Sequence, residues 1–184
     1  MAGLLSLWLP ILLATVIVYI AAFIMNMVLP FHKGDFLEIA DEDGFMEAMR
    51  SRGLKRGQYF FPFANSAEVT RSPEWKERIN RGPVGFLFIV PKGTTMKPQL
   101  IAQFIFMLIV TIIAGYVGMA SLGPGVEYLK VFQITGTAAF LGHSGSHFTN
   151  SIWYGASWRV SWLRAAEGLV YGLLTAGVFG WLWP

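Results

Sequence analysis

Four long apolar segments, separated by more polar stretches, dominate the pattern of this sequence. They cover residues 4–29, 99–120, 128–151 and 162–183. A helix needs about 20 apolar residues, at about 1.5 Å per residue, to cross the hydrocarbon core of a membrane. Each segment is long enough, so the pattern predicts an all-α integral membrane protein with four transmembrane helices.

The stretch between the first two predicted spans, residues 30–98, has a more polar pattern and predicts a mixed insert. Capping residues predict two short helices in it, over residues 42–52 and 73–81. Two aromatic runs, residues 59–63 and 85–91, are too apolar to be left in water. We expect these runs to pack against each other or at the level of the lipid headgroups, with docking of a partner subunit as the alternative.

Composition and charge agree with a membrane protein and suggest its orientation. The 184-residue chain is 54% hydrophobic, and residues 31–99 hold 11 of its 14 basic and 9 of its 11 acidic side chains. Lys and Arg concentrate on the cytoplasmic side of membrane proteins. The insert is therefore predicted to be cytoplasmic and both termini periplasmic.

Several classes of function are excluded by what the sequence lacks. The chain contains no cysteine, which removes disulfides, thiolate catalysis and thiolate metal sites. Its net charge of +3 does not predict nucleic-acid binding, because basic and acidic residues alternate and no recognition motif accompanies them. No nucleophile elbow, phosphate-binding loop or zinc-protease motif occurs, so no catalytic residue is predicted.

Small residues spaced by four predict close packing of the third and fourth spans. Helices in a membrane associate through close backbone approach and interhelical hydrogen bonds. The fourth span has such a row at Gly168, Gly172, Ala176 and Gly180, and the third span has one at Ala138, Gly142 and Ser146. We expect these two spans to form an antiparallel hairpin on the two rows.

The same two spans carry polar side chains that a lipid-facing surface would not tolerate. His143 and His147 lie about one helical turn apart, and Glu167 falls at a similar depth. Three interpretations remain open. The residues form a structural network in which Glu167 pairs with Arg164 or a histidine, they bind a metal ion, or they relay protons.

The metal interpretation predicts His143, His147 and Glu167 as ligands of a transition metal, since imidazole suits zinc, copper, iron and nickel. A haem or chlorophyll held by one axial ligand, His143 or His147, is a further alternative. Two histidines on one helix cannot bind opposite faces of a single haem, which excludes bis-histidine ligation within this chain.

Four motifs carry a resemblance to a known family. They are Leu-Pro-Phe-His-Lys-Gly-Asp at 29–35, Pro-Val-Gly-Phe at 83–86, Asn-Ser-Ile-Trp at 150–153 and the closing segment 173–184. The chain resembles a family of uncharacterised small four-span proteins of the bacterial inner membrane. This resemblance implies location in the bacterial inner (cytoplasmic) membrane and brings no activity with it.

Without a catalytic constellation, the sequence favours a non-catalytic accessory or scaffolding subunit of a larger bacterial membrane complex, respiratory or photosynthetic. Its expected partners are the lipid bilayer and other membrane protein subunits. The alternative is a membrane protein that binds a metal or a tetrapyrrole through His143 and His147 with Glu167.

Overall fold

The computed structural model describes residues 4–184, which are mostly helical. In chain order the helices are α1 (Trp8–Phe23), α2 (Glu42–Ser51), α3 (Ala67–Arg71), α4 (Pro73–Arg81), α5 (Met96–Ser121), α6 (Tyr128–Ser144), α7 (His147–Tyr154) and α8 (Trp158–Trp181), and the strands are β1 (Gly57–Phe61) and β2 (Gly85–Ile89). The chain divides into two compact units. Of the described residues, the first combines 4–35 with Thr95–Pro184, and the second is Phe36–Thr94.

The first unit is a bundle of four long helices packed in a ring. α1 packs against α5, α5 against α6, α6 against α8, and α8 against α1. One apolar cluster, which includes Leu7 and Phe179, fills the end of the bundle where α1 begins. A second cluster, which includes Met107 and Tyr171, lies further along α1. The core therefore runs lengthwise between the helices.

Four threonines are fully buried in this bundle, one on each long helix. They are Thr15, Thr111, Thr135 and Thr175. Each hydroxyl donates a hydrogen bond of 2.8 Å to the carbonyl oxygen four residues earlier in its own helix. Because the hydroxyls are satisfied internally, they can be buried without a polar partner on a neighbouring helix.

The closest helix contact in the bundle joins α6 to α8. The row predicted on the fourth span faces α6 at Gly172, where an added Cβ atom would lie 3.0 Å from the carbonyl oxygen of Gly136 and 3.1 Å from Cβ of Phe140. Elsewhere in this row, Ala176 contacts Gly136, and Gly180 lies against the ring of Tyr128. The two helices touch through their backbones at these small residues.

The row predicted on the third span faces a different neighbour. A Cβ atom added at Gly142 would meet Val110 of α5, and Ala138 packs against the apolar cluster to which Val110 belongs. Ser146 is exposed and lines a cavity. The contact with α8 is made by Gly136 instead, which lies six residues before Gly142 and hence on another face of a helix with 3.6 residues per turn.

The third predicted span, residues 128–151, is interrupted. α6 ends at Ser144, and α7 begins at His147 and continues to Tyr154. Glycine and serine pairs are common causes of helix breaks, and residues 142–146 read Gly-His-Ser-Gly-Ser. The periodic apolar pattern did not indicate this break.

Two helical segments of the described chain are long and apolar enough to cross a membrane, Leu4–Val28 and Met96–Ser121. They correspond to the first and second predicted spans. The other predicted spans do not meet this test. α6 has 17 residues, and α8 carries Arg159, Arg164 and Glu167 within its first ten positions.

The second unit contains both short helices predicted in the insert. Asp41 caps α2 through the backbone N–H of Gly44, and Ser72 caps α4 through that of Trp75. The aromatic runs pack against each other, as one alternative predicted, and they do so as the antiparallel strands β1 and β2, with Phe60 paired to Phe86. The rings of that pair have their centroids 4.8 Å apart.

Candidate functional site

A cavity of about 520 Å³ lies within the first unit, between the end of α1, the start of α5, the α6–α7 break and the first half of α8. One part of its wall is aromatic and aliphatic, and includes Tyr19, Phe23, Phe106 and Met107. The other part is polar, and includes Asn26, His143, His147, Arg164 and Glu167. Small-molecule sites typically combine apolar walls with a few converging polar groups, in volumes of about 300–1,000 Å³.

Glu167 is the most deeply buried charged group of this wall, with its side chain only 2% exposed. Its two carboxylate oxygens have different partners. Oε1 lies 2.6 Å from Nε2 of His32, and Oε2 accepts a hydrogen bond of 3.0 Å from Nη1 of Arg164. A buried carboxylate needs such compensation, because an isolated charge is costly to remove from water.

His32 continues this chain of contacts towards the surface. Its other ring nitrogen, Nδ1, lies 2.7 Å from Oδ2 of Asp35, and Oδ1 of Asp35 accepts a hydrogen bond of 3.0 Å from Arg159. Arg159 also donates to the backbone carbonyl of Phe31. We call Glu167, His32 and Asp35 the carboxylate–imidazole triad.

The local sequence explains how His32 and Asp35 are placed. α1 ends in a π-turn, Ile24–Val28, which is followed by a short 3₁₀ turn, Pro30–His32. Pro30 stands at the start of that turn, where its fixed φ is favourable. Gly34 has φ of +88°, a conformation suited to glycine, and Asp35 N–H donates to the His32 carbonyl. The chain thus folds Asp35 back onto the imidazole.

The hydrogen bonds of the triad determine how its protons are distributed. A neutral imidazole donates through one nitrogen only, whereas an imidazolium donates through both. Since both nitrogens of His32 face carboxyl oxygens, either His32 is doubly protonated or one of the two carboxyl groups holds a proton. Both forms contain the same number of protons and differ only in proton position.

Asp35, which lies beyond the predicted first span, has a shifted pKa. Burial by itself would raise the pKa of this carboxyl group. Hydrogen bonds and positive charge from His32 and Arg159 outweigh that effect, and the pKa lies below its ordinary value of 3.8. Asp35 therefore stays ionised to a lower pH than an ordinary aspartate.

Arg164 joins the triad to α1. Its Nη1 donates to the side-chain oxygen of Asn26 as well as to Glu167. Within the described residues, Nη2 and Nε of Arg164 make no hydrogen bond, and the side chain is 31% exposed. Two donor groups of this guanidinium, which also lines the cavity, are therefore open to a further acceptor.

His143 is placed differently from the triad. It is only 7% exposed, and its ring meets the rings of Phe106 and Tyr171 edge to face, with centroid distances of 6.0 and 5.4 Å. Its Nε2 atom is buried without a hydrogen-bond partner among the described residues. Buried polar atoms are nearly always paired in native proteins, which makes this nitrogen unusual. The His143 ring forms part of the cavity wall, but Nε2 itself is not accessible from the cavity.

The residues predicted as a site, His143, His147 and Glu167, all line this one cavity. Of the interpretations left open by the sequence, the structural network is the one whose contacts are present, since Glu167 pairs both with Arg164 and with a histidine. That histidine is His32. In the sequence, His32 belongs to the segment Pro-Phe-His-Lys-Gly-Asp at 30–35, just after the first predicted span. Nothing in that segment shows that His32 meets Glu167, 135 positions later.

The metal interpretation receives no support from this arrangement. Both oxygens of Glu167 are occupied, and the described chain contains no group of three or more His, Asp or Glu side chains placed to hold a metal ion. Binding of a metal, haem or chlorophyll through His143 or His147 stays a prediction.

No protein family, curated protein or solved structure was found to match this chain. The resemblance to small four-span proteins of the bacterial inner membrane stays a prediction.

Proposed function

We propose that this chain is an integral membrane protein that binds an amphipathic small molecule in the cavity lined by Glu167 and His143. One observation carries the proposal. An arginine with open donor groups, Arg164, lines the cavity together with a wall of aromatic and aliphatic side chains. Such a site suits a molecule with an apolar body and a polar head.

The apolar surface supports a membrane location. In the most apolar stretches of Leu4–Val28 and Met96–Ser121, only 39% and 28% of the residues are buried inside the protein. A core helix of a soluble protein would be covered by its neighbours, whereas here most of the apolar surface faces outward. Hydrocarbon is the environment in which such a surface is stable.

We include all four predicted spans in this proposal, with α6 and α8 as the third and fourth. Glu167 of α8 is buried within the triad and pairs with Arg164 rather than facing lipid, as intramembrane charges generally face the protein interior. The break between α6 and α7 lies at the cavity, where non-helical backbone is tolerated at membrane depth. The insert is then cytoplasmic, both termini are periplasmic, and the membrane is the bacterial inner membrane.

Photolabelling of the full chain in phosphatidylcholine nanodiscs tests the ligand site. Three probes are used, diazirine analogues of palmitic acid, hexadecanol and hexadecylamine, and labelled peptides are mapped by mass spectrometry. We expect at least one probe to label cavity residues. Ser146→Trp, which places a large ring at the cavity wall, should abolish that labelling.

The matched control is Ser121→Trp, at an exposed position at the end of α5 and outside the cavity. It should label as wild type does. If no probe labels the cavity, or if Ser146→Trp and Ser121→Trp label equally, the ligand-binding function is wrong.

A second candidate function, an accessory subunit of a larger membrane complex, is favoured by the surface of the insert. Several large apolar side chains there are strongly exposed: Phe36 (94%), Leu37 (91%), Phe63 (68%) and Val90 (65%). Exposed apolar residues of this number commonly mark a protein or membrane contact. Native electrophoresis after gentle detergent extraction should place the chain in a high-mass band. Migration as a small particle would count against this role.

A further inference from the structure

The donor and acceptor groups of the cavity also indicate the chemistry of the molecule that fits it. This inference rests on the proposed ligand-binding function and specifies the polar head of the ligand. Three features of the wall bear on the choice: the state of the carboxylate, the open donors of the arginine, and the surplus of charge.

The carboxylate of Glu167 is not available to a ligand. One of its oxygens faces His32 and the other accepts from Arg164, and the side chain is 2% exposed. A cationic head would need a free carboxylate, and in this cavity it would lie beside the like charge of Arg164. Asp35 is equally engaged, by His32 and Arg159.

The open groups are donors. Both recorded hydrogen bonds of Arg164 use Nη1, which leaves Nη2 and Nε of the guanidinium without an acceptor among residues 4–184. Guanidinium groups bind carboxylate and phosphate through two parallel N–H donors, and this geometry is the strongest that arginine offers.

The charge balance of the cluster also favours an anionic head. When His32 donates from both nitrogens, the charges of this cluster are three positive (His32, Arg159 and Arg164) and two negative (Asp35 and Glu167). One positive charge is therefore in excess, and of the two arginines only Arg164 lines the cavity, since Arg159 is 59% exposed. An anionic head beside Arg164 would balance this excess charge, whereas a cationic head would add to it.

We propose that the cavity binds a single-chain amphipath with an anionic head, a carboxylate or a phosphate, whose oxygens accept from Arg164 while its alkyl chain lies along Phe106 and Met107. Long-chain fatty acids and monoalkyl phosphates share this chemistry. The head lies at the end of the bundle that carries the triad, and the chain lies between α1 and α5.

Competition for the photolabelling reaction tests the head group. The full chain in phosphatidylcholine nanodiscs is labelled with each of the three diazirine probes, and hexadecyl phosphate, palmitate, hexadecanol and hexadecyltrimethylammonium are added as competitors. We expect palmitate or hexadecyl phosphate to compete at least about tenfold better than hexadecanol, because hydrogen bonds between charged groups are strong. The ranking of palmitate against hexadecyl phosphate shows which anion is preferred.

The variant Arg164→Gln should weaken labelling by the palmitic acid probe about tenfold, by loss of the guanidinium contact. Lys97→Gln is the matched control. It removes one positive charge at the start of α5, on an exposed side chain outside the cavity, and should label as wild type does. The competitor series on wild type gives an answer even if Arg164→Gln does not fold.

The anionic head would be overturned if hexadecanol competed as well as palmitate and hexadecyl phosphate, or if hexadecyltrimethylammonium competed better. The proposed ligand-binding function would still stand, because the cavity itself would be labelled. Loss of labelling in Lys97→Gln to the same extent as in Arg164→Gln would also overturn the anionic head. Absence of cavity labelling by all three probes would instead remove the ligand-binding function altogether.

Discussion

The contact between α6 and α8 can be tested by adding one methyl group at Gly172. Its Cβ atom would lie 3.0 Å from the Gly136 carbonyl oxygen, 3.1 Å from Cβ of Phe140 and 3.2 Å from the backbone nitrogen of Phe140. Two of these three atoms belong to the backbone of a helix, which cannot rotate away. Gly172→Ala therefore forces the two helices apart.

The matched variant is Gly177→Ala on the same helix. There an added Cβ atom meets only the hydroxyl oxygen of Tyr128, at 3.8 Å, which is an ordinary van der Waals contact. Both variants gain the same helix propensity, about 1 kcal/mol for glycine to alanine. The difference between them therefore isolates the cost of overpacking, about 1–3 kcal/mol.

Thermal unfolding of both variants and of wild type in the same detergent provides the measurement. Gly177→Ala is expected to unfold at a higher temperature than wild type, and Gly172→Ala to unfold below Gly177→Ala by the equivalent of about 1–3 kcal/mol. If Gly172→Ala is as stable as Gly177→Ala, then α6 and α8 do not touch through their backbones and the packing argument is wrong.

Three further predictions concern the triad and the insert. Glu167→Gln should lower the free energy of unfolding by about 3 kcal/mol, because it removes the buried carboxylate that pairs with both His32 and Arg164, whereas Glu127→Gln at an exposed site should have little effect in the same chemical denaturation assay. Because the pKa of Asp35 is lowered in the folded state, its contribution to stability is present above the ordinary value of 3.8 and is lost as the pH falls through the lowered value. The difference in melting temperature between wild type and Asp35→Asn should therefore shrink on acidification, and a difference that grows would contradict the assignment. Phe60→Ala should remove a ring pair worth about 1 kcal/mol and reduce hydrogen-exchange protection in β1 and β2, while protection in α5 stays unchanged.

Much of the architecture could be predicted because it depends on local signals. The capping residues Asp41 and Ser72 mark the starts of α2 and α4, because each accepts a hydrogen bond from the first turn of its own helix. The long apolar runs indicate α1 and α5, because no charged residue interrupts either run.

The break after α6 and the pairing of β1 with β2 were harder to predict. Gly145 and Ser146 lie inside an apolar run, where small residues also occur in continuous membrane helices. Whether a small residue makes a close helix contact or ends a helix depends on the neighbouring helix. The aromatic runs could be expected to meet, but their strand register depends on contacts across 28 positions of sequence.

The sequence predicted the polar residues of the candidate site that lie in the spans, but not their partners. Glu167 and His143 are recognisable as polar residues within apolar spans, because such residues need a protein environment. Their partners are not recognisable in the same way. His32 stands outside the predicted spans, and the pairing of its Nε2 with Glu167 depends on how the turn after α1 folds over the end of α8.

The two ends of the bundle should differ in how well they tolerate substitutions and small shifts of the helices. At the end of Leu7 and Phe179 the helices meet through apolar side chains, and hydroxyls such as Thr175 bond only within their own helix. Replacements that conserve volume can be accommodated there by small sliding movements. At the end of His32 and Glu167, a shift of one helix by a single residue would separate opposite charges, so that end sets the alignment of the helices for the whole bundle.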